Sequence, residues 1–395
     1  MYYNKKRDKM KFDFCVLGAT GMQGRIVTRD LVESGYNVFL CGRDKKRIEY
    51  LLKRYKGKTA FEYVDLENID NTAKVIRESG AKVVVNCVEG DMDLNSLKAC
   101  VKAGVHSLDL GSDIPMTRDQ LAMNRVLKDK GLIHITGCGS VPGIGNVMLN
   151  YADKKFDKID TVEVGFAWDS NQKVFVVPFS MESIMEEFTA AAPYLHNKKI
   201  YKVKPMNSIV TVYHRAIGKE KEFKVGHHPE TFTFHKFTKD KGVKNIDFWA
   251  GFPDHSMKAI QTFIDTGFND STPRKCADGA CVAPNEFLTE ILKDLGYPKG
   301  YTETENLWVL IKGKHNGKNK EILMECIIPP LKGWEDAGCN IDTGMPASIM
   351  AQMILKGVIK NPGSFSPEFI VPTEPFFKEL RERKMLVYEN GKVIN

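Results

Sequence analysis

The run Gly18-Ala19-Thr20-Gly21-Met22-Gln23-Gly24 constrains this chain more than any other stretch. It follows a short apolar segment, residues 12–17, and opens an amphipathic stretch that continues to about Ser34. A glycine-rich turn between a strand and a helix is the arrangement that admits a dinucleotide. Gly18 frees the tight turn, Gly21 lets the backbone approach a pyrophosphate, and Gly24 lets the helix lie close to the strand. The first amides of that helix then face the phosphate charge. Thr20, Met22 and Gln23 lie in the same loop and are expected cofactor contacts with the three glycines.

The pattern around this loop repeats. Strands read at residues 37–41, 60–64, 82–87, 105–110 and 132–136, and helical spacing fills the intervals. The run Lys82-Val83-Val84-Val85-Asn86-Cys87 is continuously β-branched at its centre, as a strand buried on both faces requires. Alternation of this kind makes βαβ units, hence an α/β fold with a doubly wound parallel sheet of six strands. Ligands bind at the carboxyl ends of such strands, so Asp65, Cys87 and Gly139 join the expected cofactor contacts. At the end of the second strand, Cys41-Gly42-Arg43-Asp44 lacks the acid that NAD-binding chains place there for the ribose hydroxyls. Arg43 offers a fork for a 2′-phosphate instead. The expected cofactor is NADP, with NAD as the alternative.

A length of 395 residues suits two domains. The 43% hydrophobic and 27% charged residues exclude a disordered chain, a collagen-like chain and a disulfide miniprotein. No run approaches the ~18 apolar residues of a spanning helix, so no membrane partner is expected. The 57 basic residues are dispersed among 50 acids, and a net charge of +7 spread in this way does not make a nucleic-acid surface. Nine cysteines without repeated spacing, several of them in apolar runs, suit a reducing, cytoplasmic setting. Cys276 and Cys281 form an isolated C-x4-C pair, and no metal is expected.

The segment Gly137-Cys138-Gly139-Ser140-Val141-Pro142-Gly143-Ile144-Gly145-Asn146 follows the sixth strand. So many small residues at a strand end imply close approach to backbone. A rival pattern overlaps it: Ser140, Tyr151 and Lys155 match the Ser/Tyr-x-x-x-Lys set of short-chain carbonyl reductases. A third reading is a dinucleotide-binding sensor without catalysis.

Three stretches together resemble the saccharopine dehydrogenase-like family, the group of saccharopine reductase, lysine 6-dehydrogenase and carboxynorspermidine dehydrogenase. They are the loop at 18–24, the loop at 137–146, and the C-terminal run from Asp342-Thr343-Gly344-Met345-Pro346-Ala347-Ser348-Ile349 to Met385. Phe179-Ser180-Met181-Glu182 and His106-Ser107-Leu108-Asp109-Leu110-Gly111 resemble the lysine 6-dehydrogenase branch. The resemblance implies an inserted α+β domain on a mixed or antiparallel sheet, a return of the chain to the Rossmann domain, and a homodimer. It also implies hydride transfer at a carbon bearing nitrogen, through an imine, in a lysine- or saccharopine-type amino acid or opine. It places residues 1–140 and 343–395 in the dinucleotide-binding domain and 141–342 in the substrate domain.

Alternation at 161–168, 208–213 and 230–234 reads as strands, and the segments 305–313 and 320–328 flank an Asn316-Gly317 hairpin turn. Helices read at 183–194, 256–263, 285–295 and 346–355, the last stopped by Gly357. The apolar face of Ile349, Met353 and Ile354 needs the first domain as its partner, whereas the polar tail 389–395 reads as dispensable.

The implied reaction needs an acceptor for the amine proton and anchors for a carboxylate. Asp109, at the end of the fifth strand, and Glu89, after the fourth, are placed to accept the proton, and Cys138 lies in the small-residue loop. Pro142, Asn146, His228 and Arg215 are the expected substrate contacts. For the cofactor, replacing Arg43 with alanine should weaken NADP(H) by roughly 1.5–3 kcal/mol, one lost charge-assisted contact. NAD(H) affinity should stay nearly unchanged. Titration of both nucleotides by fluorescence checks this, and a wild type that prefers NAD(H) contradicts it.

Overall fold

The structure is a computed structural model and describes residues 11–88, 90, 92–111, 113–226, 228–292 and 295–395. The chain divides into two compact units, Met1–Val147 with Ile341–Glu379, and Met148–Asn340 with Leu380–Asn395.

The first unit begins with β1 (Phe14–Leu17), α1 (Met22–Glu33), β2 (Val38–Gly42), α2 (Glu49–Arg54) and β3 (Thr59–Tyr63). It continues with α3 (Ile69–Ser79), β4 (Val83–Asn86), α4 (Met92–Ala103) and β5 (His106–Asp109). Then come α5 (Ile114–Ala122), α6 (Asn124–Asp129), β6 (Ile133–Ile135) and α7 (Ile144–Asp153), which carries the chain across the unit boundary. β1, β2, β4 and β6 are buried along their whole length, and the β-branched run of β4 packs both faces of the sheet. All pairings are parallel, and the order 3-2-1-4-5-6 is the doubly wound one.

The second unit holds β7 (Lys158–Ser170), α8 (Met181–Thr189), β8 (Ala192–His196), β9 (Lys199–Val203), β10 (Ile209–His214) and β11 (Gly218–Lys224). Next are α9 (Glu230–Thr238), β12 (Asn245–Gly251), α10 (Asp254–Asp265), β13 (Arg274–Lys275), β14 (Cys281–Val282) and α11 (Pro284–Leu292). β15 (Glu303–His315) and β16 (Lys318–Ile328) form the long hairpin at Asn316-Gly317. The sheet is mixed: β12 runs parallel to β7, while β15 is antiparallel to it over nearly the whole strand. Phe166, Phe248 and Phe252 form an edge-to-face aromatic cluster in its core.

The chain then returns. α12 (Ile341–Leu355), β17 (Gly363–Phe365), α13 (Pro367–Ile370) and α14 (Thr373–Glu382) precede the terminal β18 (Leu386–Glu389) and β19 (Lys392–Val393). α12 is almost wholly buried and lies against α1. Ser348 donates to Asp30 at 2.5 Å, and a Cβ on Gly344 would stand 2.5 Å from a methyl of Ile26. The helix starts at Ile341 rather than at Pro346, and Gly357 ends it with φ +69°. β17 pairs with β6 and adds a seventh parallel strand that three residues are too few to announce.

Three sequence expectations need correction. Residues 230–234 form helix, not strand: Pro229 caps α9, and the Thr and Phe alternation is too short to separate the two periods. Residues 190–194 leave the helix and enter β8. The segment 380–395 belongs to the second unit, because β18 pairs with β16.

The tail is therefore not dispensable. Asn390 exchanges two hydrogen bonds of 2.8 Å with the backbone of Leu323. Asn395 accepts from Val387 N–H and donates to Met385 C=O. Glu389 pairs with Lys155 at 2.5 Å. Four hydrogen bonds at about 1 kcal/mol each predict that deleting Glu389–Asn395 lowers the melting temperature by on the order of 10 °C, read by calorimetry.

Candidate functional site

The site in the first unit is built at the carboxyl ends of β1, β4, β5 and β6. Gly18 adopts φ +72°, and a Cβ there would meet Val88 at 2.6 Å and the Cys87 backbone at 3.0 Å. Gly24 is needed more strictly, since its Cβ would stand 2.2 Å from the Gly18 carbonyl. Gly21 is different: only Gly18 O lies near, at 3.4 Å, and no side chain caps the helix it opens. The first amides of α1 thus face an open approach, as a pyrophosphate requires. Thr20 packs over the end of β2, where a Cβ on Gly42 would meet its methyl at 2.8 Å. Met22 and Gln23 form the first turn of α1. Arg43 is exposed beyond β2, while Asp44 accepts from Lys46 N–H and starts the next turn. Asp65 accepts from Glu67 N–H after β3, and Cys87 N–H bonds Leu17 C=O. These residues fit a dinucleotide with a 2′-phosphate.

Asp109 is the hub of the next two strand ends. It is 1% exposed, and Oδ1 accepts from Gly111 N–H at 3.0 Å and Gly137 N–H at 3.1 Å. Oδ2 accepts from Gln120 Nε2 at 2.5 Å and lies 3.3 Å from His134 Nε2. Gln120 accepts in turn from Thr136, His134 Nδ1 meets Ser107, and the Asp109 carbonyl accepts from Cys138 N–H. Burial alone would raise the carboxyl. The His134 contact and the Gly137 and Gly111 amides outweigh it and hold the group below its ordinary range. A carboxylate held by three donors clamps the small-residue loop and is a weak base for a substrate amine.

Cys138 is buried, its thiol pushed up by burial and by Asp109, so it is a packed neutral thiol. Gly139 and Gly143 approach so closely that a Cβ on Gly143 would overlap the Gly139 carbonyl, and Pro142 lies against Gly137. Asn146 is 1% exposed: it accepts from Gly143 N–H at 2.8 Å and donates to Glu368 at 2.7 Å. It shapes the loop. Glu89 lies outside the described residues.

In the second unit, Arg215 directs Nε and Nη2 at Glu325, at 3.3 and 3.2 Å, and stacks over Tyr388. Its guanidinium is engaged by Glu325 while the side chain remains 40% exposed. Lys155 contacts Tyr151 at 3.3 Å but pairs with Glu389, which accounts for the Tyr-x-x-x-Lys pattern without short-chain chemistry. His228 is buried in the turn before α9, stacked on Phe248, between Glu187 and Glu230. Burial would lower its pKa, but the two carboxylates hold it up at about 9. The sequence reading missed Glu187, as well as Gln120, His134 and Glu368. All are single polar letters in helices or strands, and only the tertiary fold brings them to their partners.

A doubly wound sheet with a glycine-built helix N-terminus, in a chain that also carries an α+β unit on a mixed sheet, defines a two-unit dinucleotide-binding protein. Residues 14–135 match the saccharopine dehydrogenase NADP-binding domain, and residues 139–386 match the saccharopine dehydrogenase C-terminal domain. The chain belongs to the saccharopine dehydrogenase family, and NADP is the cofactor of its first unit. It is similar to carboxynorspermidine synthase of Vibrio alginolyticus, 26% identical over 361 residues that cover 86% of each chain. It is also similar to carboxyaminopropylagmatine dehydrogenase of Synechocystis sp., 24% identical over 93% of this chain and 94% of that one. Its fold matches apo saccharopine dehydrogenase (L-Glu forming) from Saccharomyces cerevisiae, with a TM-score of 0.74, 14% identity and 97% and 100% of the two chains covered. Among the described residues no helix is long and apolar enough to cross a membrane.

The clamp predicts the behaviour of an Asp109→Ala variant. Two amides and one carboxamide lose their acceptor, at ~1–3 kcal/mol for each buried group left unpaired, so the variant should melt well below wild type. The wild-type contribution is present above the ordinary carboxylate range of ~4. It is lost as pH falls through the depressed folded value. Urea unfolding at neutral and acid pH checks both, and a variant of wild-type stability with only kcat reduced would restore Asp109 as a proton acceptor.

Proposed function

We propose that this protein is an NADP(H)-dependent oxidoreductase that makes or breaks the C–N bond of a carboxylated polyamine or a close amino-acid-like amine. The observation that carries this reading is whole-chain similarity to two proteins named for such compounds, with matching coverage of both chains. It refines the lysine or saccharopine substrate implied by sequence resemblance.

When bound, NADP supplies the hydride acceptor or donor. Oxidation of a secondary amine removes a hydride from carbon and a proton from nitrogen, leaving an imine that water splits into a carbonyl and an amine. The chain must therefore orient the nicotinamide, hold the amine and exclude stray water. The tight loop from Gly137 to Asn146, fixed by Asp109 and by Asn146, supports the first task. Its strand-end position is where such sheets present their ligands.

The test is a spectrophotometric screen of carboxylated polyamines of increasing length, saccharopine and lysine, each with NADP+ and NAD+. The expected result is the highest kcat/KM for a carboxylated polyamine with NADP+. Preference for saccharopine would return the substrate to the amino-acid class, and NADP binding without turnover of any amine would refute the enzyme reading.

A further inference from the structure

In the second unit, α8, the turn before α9 and α9 itself bring two carboxylates and one imidazole into the interior. Glu230 is fully buried, and His228 and Glu187 are each 7% exposed. His228 Nε2 lies 3.4 Å from Glu187 and Nδ1 lies 3.7 Å from Glu230, so one ring is shared between two carboxyl groups at long range. Glu187 Oε2, both oxygens of Glu230, both nitrogens of His228 and the Thr233 hydroxyl are buried without a hydrogen-bond partner. Thr233 sits one turn beyond Glu230 on α9, on the same side of the helix.

Such an accumulation is unusual, because buried polar atoms are nearly always paired. Two buried carboxyl groups share one imidazole, an arrangement that a further cationic donor would complete. Among the described residues, two candidate neighbours are engaged elsewhere. Lys224 is bound to Asp247 at 2.5 Å, and the Tyr194 hydroxyl donates to the backbone carbonyls of Val225 and Phe248. His228 and the two glutamates do not converge as a metal-binding group. Beside the carboxylates lies an aromatic wall: the His228 ring stacks on Phe248 with centroids 3.5 Å apart, and Phe166 and Phe252 continue it. Carboxyl groups at the edge of an imidazole that is itself stacked on Phe248 suit an ammonium group carried on a methylene chain.

We propose that Glu187 and Glu230, with Thr233 and the stacked His228–Phe248 pair, form the seat for a primary ammonium of an alkyl amine. The proposal deepens the reading above and rests on it for the substrate class: the seat would hold the amine end of the molecule, remote from the carboxylate. Glu230 and Glu187 are then specificity determinants rather than catalytic residues.

The experiment uses the full chain with 1,3-diaminopropane and 1,4-diaminobutane as probes. The uncharged 1-propanol, and NaCl at matched ionic strength, are the controls that should not bind, and thermal shift and calorimetric titration are the readouts. Wild type should bind the diamines, and NaCl should not reproduce the shift. Glu230→Gln, and separately Glu187→Gln, should lose diamine binding while still binding NADP(H). KM for the amine substrate should rise about tenfold or more, the scale of one lost charge-assisted contact, with kcat nearly unchanged. A purely structural role would lower the melting temperature of both variants yet leave diamine binding and KM intact, and that result overturns the proposal. So does an equal shift from NaCl. If one variant fails to fold, the other carries the test. Diamine binding that the variants abolish, in a protein that turns over no carboxylated polyamine, would support the seat and sink the substrate reading instead.

Discussion

The first unit depends on how closely α1 is held. On one side the absence of a side chain at Gly24 lets the helix press against the Gly18 carbonyl. On the other, Gly344 admits Ile26, and Ser348 bonds Asp30, so α12 closes over the same helix. Either contact would be lost to a single methyl group, and close-packed interiors do not absorb such an insertion cheaply. The two contacts fix the direction of α1, and with it the direction of its first-turn amides. Phosphate binding by a helix N-terminus is directional, so a packing constraint in the core becomes a binding property at the surface.

The same economy of backbone appears at β5 and β6, with a different device. There the loop is held by a buried carboxylate that accepts from two glycine amides and one carboxamide. Each of those donors would otherwise be an unpaired buried group, so the carboxylate contributes most by accepting from all three. That engagement also decides its chemistry. An acid held by three donors, with its proton affinity depressed, is a weak base for a substrate amine, which shifts attention to Asp109 as the support of the loop.

Those two cases show what the sequence disclosed and what it did not. Glycine positions were legible because they are local: the loop at 18–24 lies between a strand and a helix that periodicity alone reveals, and Gly357 stops α12 as its position suggests. Strand order followed from the alternation of β and α. Side-chain partners were not legible, because Asp109 meets Gln120 eleven residues on and Asn146 meets Glu368 across 222 residues. Position at a strand end suggested a catalytic acid, and only the full set of donors shows a clamp. Short strands failed for a related reason. β17 has three residues and β18 four, too few for a period to emerge, yet β18 moves the last part of the chain into the second unit. Arg215 was similarly ambiguous, since a guanidinium carries no local sign that Glu325 already holds it.

The contrast between the two units carries the functional argument one step further. In the first, the buried charge at Asp109 is compensated by fixed internal donors, and the opening left at Gly21 is for an anion. In the second, His214, Trp308 and Glu222 show that the mixed sheet also compensates a buried carboxylate when it serves structure: Glu222 receives both the indole N–H at 2.9 Å and the imidazole at 2.8 Å. Glu187 and Glu230 instead share the single imidazole of His228, at 3.4 and 3.7 Å, with no indole donor beside it. Two buried carboxyl groups on one imidazole leave acceptor oxygens that a cationic ligand would complete. In the proposed reading, substrate choice thus rests on the second unit, while the first holds the cofactor.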